Sequence, residues 1–278
     1  LKGTPSTHIL KPNSTAEGYP NSVINETFTM MLAARLGLNV PKVWHLYLPE
    51  PAFIIERFDR APGPEEPLRL HVLDGTQMLN EPSYNKYSSE TFPKLKDLIE
   101  QCRNKAAARL EVFRWIVFNT MVGNSDSHLK NISFIVDHEG RRVAPFYDLL
   151  CTAVYHTRVF LDEGAVWPNE KLASPVAGAY FFSDVTFDKL IDTGLELGLS
   201  KSAAVREVVK IVGRLTGAAD EIIAQLESIL ADAGAPQGAP SPMTKAAERR
   251  MLRSIRSIVI ADMLRYVRLP VAAAKEPQ

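Results

Sequence analysis

The chain of 278 residues is 46% apolar and 23% charged, an ordinary balance for a globular protein that can bury a sizeable core as one large domain or two lobes. Its 32 basic and 32 acidic residues cancel, so no global field draws it to nucleic acid or an anionic membrane. Cys102 and Cys151 lack zinc-type spacing, no apolar run reaches the roughly eighteen residues of a membrane span, and no secretory signal opens the chain, so a cytoplasmic protein without a membrane segment is expected. The chain opens on Leu1 rather than Met, which leads us to expect that it begins inside a longer protein.

Ser6 to Lys11 has the pattern of a short strand stopped by Pro12. A lysine closing such a strand is how a kinase presents an ammonium to nucleotide phosphates, although a solvated surface lysine is the plainer reading. A helix is expected from Ser22 to Leu36, stopped by Gly37, with Val23, Phe28, Met31, Leu32 and Leu36 on its buried face. Glu26 lies one turn in, where a partner for Lys11 would be found. Val43 to Leu48 and Ala52 to Phe58 form an expected hairpin around Pro49-Glu50-Pro51. Its end, Glu56-Arg57-Phe58-Asp59-Arg60, runs into a proline-rich loop from Ala61 to Pro67. That loop is the expected connector between a small N-lobe (1–60) and a larger, mostly helical C-lobe (61–278). In a kinase the backbone there meets the adenine edge; a capped hairpin with a charged end fits equally.

Helices are expected over Leu70 to Leu79, Leu95 to Cys102 and Lys105 to Val122. Further along they are expected over Phe187 to Gly198, Lys201 to Leu215, Ala219 to Leu230 and Thr244 to Val267. Leu110, Phe113, Trp115, Ile116 and Val117 sit at helical spacing and belong to a core. Gly234 to Pro242, rich in Gly, Ala and Pro, suits a flexible connection. The last helix carries Lys245, Arg249, Arg250, Arg253, Arg256 and Arg265, a basic face that could touch phosphate but that on an amphipathic helix is ordinarily just solvated.

Polar chemistry gathers in Gly123-Asn124-Ser125-Asp126-Ser127-His128-Leu129-Lys130-Asn131. A hairpin follows (Ile132 to Asp137, then Arg141 to Ala144), and after it Phe146-Tyr147-Asp148. Phosphoryl transfer needs positioning and charge neutralisation: one carboxylate beside the attacking hydroxyl, an amide oxygen and a second carboxylate for magnesium. In the kinase pattern H-R-D-x-x-x-x-N the base and the amide ligand have the separation of Asp126 and Asn131. That spacing alone is a weak signal, and its weight comes from the assembly with the hairpin and Asp148. Two other readings stay open on the residues alone. Asp126, His128 and Asp148 would suit a transition metal, yet a second nearby histidine is wanting. A Ser125, His128 and Asp148 triad lacks a G-x-S-x-G elbow.

Five segments together resemble the HipA family, the bacterial serine/threonine kinase toxins of type II toxin–antitoxin modules. They are Ser6-Thr7-His8-Ile9-Leu10-Lys11, Leu36-Gly37-Leu38-Asn39-Val40-Pro41, Glu56-Arg57-Phe58-Asp59-Arg60, Asp126-Ser127-His128-Leu129-Lys130-Asn131 and Pro145-Phe146-Tyr147-Asp148. The likeness is specific to about Tyr155 and general beyond it. It implies an α+β, protein-kinase-like two-lobed fold, with a small sheet-containing N-lobe and a larger, mostly helical C-lobe. It implies ATP with Mg2+ and phosphorylation of a protein target, such as an aminoacyl-tRNA synthetase, that arrests translation and growth. Carried over, Asp126 is the catalytic base, and Asn131 and Asp148 hold Mg2+. Lys11, His128 and Lys130 lie by the phosphates, Glu56, Arg57 and Phe58 present backbone to adenine, and Leu129 and Tyr147 complete the nucleotide contacts.

The resemblance also implies a small helix-turn-helix antitoxin as partner, with DNA reached only through it. Two departures stand out. The family's Gly-rich nucleotide loop precedes the lysine strand, whereas Gly3 is the only glycine before Lys11. The amino-terminal subdomain and that loop are therefore expected to be missing, with nucleotide binding weakened. Ser127 also stands where many relatives have glycine. The competing expectation is a catalytically silent module that docks an antitoxin and modulates its operator binding.

Overall fold

The computed structural model describes residues 5–47, 49–64, 66–82, 91–232 and 240–270. Leu48, Gly3 and most of the Gly234 to Pro242 connection lie outside the described residues. Strands β1 (His8–Pro12), β2 (Val43–Tyr47) and β3 (Pro51–Glu56) form an antiparallel sheet in the order β1–β3–β2. Lys11 pairs with Phe53 and Val43 with Ile55. Strand alternation buries Phe53 and Ile55 on one face and leaves Leu10, Trp44 and Leu46 exposed on the other.

Helix α1 (Ser22–Arg35) packs on the buried face and is itself buried nearly all round. Gly37, with φ of 87°, follows it as the left-handed stop that the sequence calls for. Enclosure forces every polar side chain of α1 to find a partner. Thr27 and Thr29 donate back to the carbonyls of Val23 and Asn25, while Asn25 exchanges two 2.9 Å bonds with the backbone of Cys151.

A two-residue ladder between β4 (Arg60–Ala61) and β5 (Leu68–Arg69) braces the proline-rich loop. The next segment corrects the expectation of a helix over Leu70 to Leu79. It is a strand, β6 (His71–Asp74), followed by a single helical turn, α2 (Gly75–Met78). A short apolar run does not distinguish strand from helix by periodicity, and a non-local partner decides. Here β6 zips onto β7 (Ser133–Asp137), His71 against Val136 and Asp74 against Ser133, and β7 pairs with β8 (Gly140–Val143) as the expected hairpin.

Helices α3 (Thr91–Glu100) and α4 (Lys105–Met121) form the centre of the larger part, with Phe113, Trp115 and Phe118 buried in one continuous core. A hairpin not anticipated from sequence, β9 (Lys171–Val176) and β10 (Ala179–Phe181), follows the site. Beyond α5 (Phe187–Glu196), the two helices expected from Lys201 to Leu230 are one, α6 (Lys201–Asp232). Gly217 does not break it, because burial of Val208, Ile211, Leu215, Ile222 and Leu226 along one stripe outweighs the ~1 kcal/mol that a mid-helix glycine costs. The last expected helix is observed as α7 (Pro242–Ser254), a π-helical stretch (Ile255–Ile260) and α8 (Ala261–Tyr266). Ser241 caps α7 by accepting the Thr244 N–H at 3.0 Å.

Helix α7 reaches back to the first sheet. Glu248 accepts the Tyr47 hydroxyl at 2.5 Å and lies 3.4 Å from His45 Nε2, with the His45 and Glu248 side chains both 1% exposed. Among the described residues no helix is long and apolar enough to cross a membrane.

Candidate active site

Three charged side chains, two from near the start of the chain and one from far along it, meet between the first sheet and the β6–β7–β8 sheet. Lys11 Nζ, at the end of β1, bonds Glu26 Oε1 of α1 at 2.8 Å and Asp148 Oδ1 at 2.9 Å. Its stem lies against the Phe53 ring, with Nζ 5.6 Å from the centroid. Burial, which would lower the Lys11 pKa, is outweighed by Glu26 and Asp148, so the ammonium is held above its usual value. Lys11 is therefore a paired, half-buried cation rather than a solvated surface lysine.

Burial pushes the Glu26 carboxyl up to about 7; Lys11 opposes the rise and Asp148 adds to it. A carboxyl raised in the native state keeps a proton that the unfolded chain has already released. Wild type should thus lose stability relative to Glu26→Gln as pH rises from about 5 through 7. Urea denaturation midpoints across that range check this, and parallel curves for the two proteins would refute it.

Asp148 has φ of 57°, a left-handed conformation uncommon outside glycine and a form of local strain that collects at functional sites. Its neighbours hold it there. Phe146 is buried, stacks on Trp115 with centroids 6.1 Å apart, and donates its N–H to the Asn39 carbonyl at 2.8 Å. The Tyr147 hydroxyl donates to the Lys130 carbonyl at 2.8 Å and lies 2.7 Å from Ser133 Oγ. Burial first, then the carboxylates of Asp74 and Asp148, push the Tyr147 phenol up, with Ser133 and Lys11 opposing.

A cavity of about 270 Å³ opens beside Lys11 and Asp148. Glu56, Arg57, Phe58 and Tyr147, four of the residues singled out in the sequence, line it together with Ile9, Val72 and Ser133. Phe58 and Tyr147 stack 5.6 Å apart at 25°. The amides of Glu56 and Arg57 are already engaged, donating to Lys42 and Thr7 carbonyls at 2.9 Å each. Asp59 is held below the usual carboxylate range by a two-point bond from Arg57, at 2.9 and 2.8 Å, which outweighs burial.

The loop after α4 forms the adjoining wall. Asn124 accepts the Asp126 N–H at 3.0 Å and donates to Asn119 Oδ1 at 2.7 Å, while Asn131 donates to the Asp126 carbonyl at 2.8 Å. The Asp126 carboxylate is left 46% exposed, with His128 Nε2 3.8 Å away. Lys130 Nζ reaches Asp74 Oδ2 at 3.1 Å. Hydrogen bonds from Thr76, Gln77 N–H and Lys130 overcome the upward push of burial and keep Asp74 ionised below its ordinary range. Leu129 departs from expectation, since its side chain is fully buried in the core and cannot face a ligand. None of 126, 128, 129, 130 and 131 lines the cavity at Lys11.

Sequence reasoning missed Asp74, which sits where a helix was expected. Asp74 with Gln77 three residues on is a capping-box signature, and both of its bonds are present. That signal would have placed a helix start, and hence the end of a strand, at this residue.

Among the described residues no group of three or more His, Cys, Asp or Glu is placed to hold a metal, and Asp126, His128 and Asp148 do not form one. Asp148 and Asn131 instead offer hard oxygen donors. That set fits Mg2+, which is commonly held by one or two carboxylates together with substrate phosphates rather than by a full protein cage.

The family model of the HipA-like C-terminal domain matches residues 1–222. Over 238 residues the chain is 31% identical to the serine/threonine-protein kinase toxin HipA of Shewanella oneidensis, covering 80% of this chain and 52% of that protein. The chain thus spans about half the length of that relative. It superposes on the solved HipA of Shewanella oneidensis MR-1, determined with HipB and operator DNA, with a TM-score of 0.76 at 27% identity, over 98% of this chain and 61% of that one. The Helicobacter pylori proinflammatory kinase CtkA shares the fold alone, with a TM-score of 0.55 at 15% identity over 92% of this chain and 88% of that one. The α+β, kinase-like two-lobed architecture expected from the sequence is therefore the observed one, and the chain belongs to the HipA-like C-terminal domain family.

Proposed function

We propose that this chain is the nucleotide-binding and phosphotransfer portion of an ATP- and Mg2+-dependent serine/threonine protein kinase of the HipA type. The observation that carries the reading is the meeting of Lys11, Glu26 and Asp148 beside a cavity that also holds the 56–58 segment. Residues 1–60 and 61–278 are the proposed lobes, hinged at 57–60. Phe58, whose N–H makes neither of the bonds that occupy Glu56 and Arg57, is the amide of the three left for the adenine edge. Lys11 is the contact to phosphate oxygens, with Glu26 fixing its direction. Asp148 and the Asn131 side-chain oxygen are the Mg2+ donors; bound Mg2+ would neutralise phosphate charge. Asp126, exposed and flanked by bonds that fix its backbone on both sides, accepts the proton of an attacking protein hydroxyl. His128 and Lys130 brace the same loop.

By the family resemblance, the target is a protein such as an aminoacyl-tRNA synthetase, in the cytoplasm, and its phosphorylation arrests growth. A second reading, a silent module that docks a helix-turn-helix antitoxin, has support in one observation: the similar Shewanella protein was solved with HipB and operator DNA. Incubating the chain with radiolabelled ATP, Mg2+ and cell extract separates the two. Label on protein that disappears with a chelator is the result expected of a kinase. No label, with a gel shift that changes when a helix-turn-helix partner is added, would move the assignment to the silent module.

A further inference from the structure

Ser125, immediately before the proposed base, fastens both ends of the segment that follows Asp148. Its N–H donates to Thr152 Oγ1 at 2.6 Å, and its hydroxyl lies 2.8 Å from the same oxygen. Thr152 in turn donates to the Gly123 carbonyl at 3.2 Å, which also accepts the Ala153 N–H at 2.9 Å. From the far end of the segment, Glu170 accepts a hydrogen bond from the Ser125 hydroxyl. Glu170 directly precedes β9, and its own carbonyl accepts the Phe182 N–H at 3.1 Å, so its backbone is anchored to the β9–β10 hairpin.

The side chain of Glu170 is 11% exposed. Its Oε2 is buried and has no hydrogen-bond partner among the described residues, while Oε1 lies 3.7 Å from His156 Nε2. Burial pushes its carboxyl up, and Ser125 and His156 pull the other way. An under-satisfied buried carboxyl costs free energy, and a general stabilising contact would be better made by apolar packing. Its hydrogen bond goes to the residue next to Asp126. Asp126 itself is held separately, its N–H by Asn124 and its carbonyl by Asn131. Loss of Glu170 would therefore release the Ser125 hydroxyl, while the Ser125 N–H keeps Thr152 and Asp126 keeps both of its own bonds.

We propose that Glu170 is a positioning residue: through Ser125 it sets the backbone that leads into Asp126, and with Thr152 it ties the course of the 149–170 segment to the placement of the base. The inference rests on the kinase reading above, and the test below keeps the two apart.

Wild type, Asp126→Asn, Ser125→Ala, Glu170→Ala and Glu170→Gln are compared in steady-state phosphoryl transfer from Mg·ATP and in amide hydrogen exchange over residues 123–127. Glu170→Ala should lower kcat by about 10- to 100-fold with the KM for ATP little changed, as expected for a misplaced reacting group. Glu170→Gln, which keeps an oxygen to accept from Ser125, should recover most of the loss. Ser125→Ala should make Glu170→Ala nearly silent, because both cut the same bond. Exchange over 123–127 should quicken in Glu170→Ala. An unchanged kcat, a loss confined to the KM for ATP, or no recovery with Gln would overturn the proposal. If wild type and Asp126→Asn are equally inactive, the kinase reading fails. The exchange arm then decides alone: unchanged rates in Glu170→Ala overturn the clasp and quickened rates uphold it.

Discussion

An Asp126→Asn chain should transfer phosphate about 10²- to 10⁴-fold more slowly than wild type, the usual worth of a positioned general base. The substitution is nearly isosteric. Both local bonds that shape this part of the loop, from Asn131 to the Asp126 carbonyl and from the Asp126 N–H to Asn124, use backbone atoms and survive it. What is lost is a carboxylate able to accept a proton from an approaching hydroxyl. The deficit should lie in kcat, with the KM for ATP near the wild-type value, because the 126 side chain does not line the cavity assigned to the nucleotide. Initial rates of label incorporation at saturating ATP check it. A rate equal to wild type would remove Asp126 from the mechanism.

Asp148→Ala should abolish the metal-dependent part of nucleotide binding, leaving the same affinity with Mg2+ as with a chelator. Two effects combine in this variant. An oxygen donor disappears, and alanine must take a φ of 57°, which costs about 1–2 kcal/mol for a residue without a short polar side chain. Asp148→Asn separates them, since asparagine tolerates that conformation and differs mainly in charge. Lys11 keeps Glu26 as a partner in both variants, so the sheet and α1 should stay docked. Calorimetric titration with ATP, with and without Mg2+, measures the effect. An affinity that still responds to Mg2+ in both variants would show that the metal is held elsewhere.

The motifs were readable from the sequence because they are local. Asp126 to Asn131 is one loop, Phe146 to Asp148 follows one hairpin, and Ser22 to Arg35 carries its apolar residues and its glycine stop within a single stretch. The Lys11–Glu26 pair was legible for a similar reason: both residues sit near the start of the chain, each at a defined end of its element. What escaped depends on distant partners. His71 to Asp74 becomes a strand because Ser133 to Val136 offers an edge; within Leu70 to Leu79 only the Asp74–Gln77 capping box marks where that strand must end. The burial of Leu129 and the clasp from Glu170 to Ser125 likewise arise from chain brought in from elsewhere. The joining of two expected helices into Lys201–Asp232 reflects a core stripe that continues past Gly217, where local propensity argued for a break.

The contact of Glu248 with Tyr47 and His45 bears on how the mouth beside Lys11 can widen. Strand β2 is held by α7 through these contacts, so a rigid swing of the first sheet about 57–60 would pull a buried acid away from its partners. Stranding such a group costs about 1–3 kcal/mol. On the kinase reading proposed above, opening the first sheet away from α7 carries that added cost, which small shifts of side chains and of the front edge at β1 avoid.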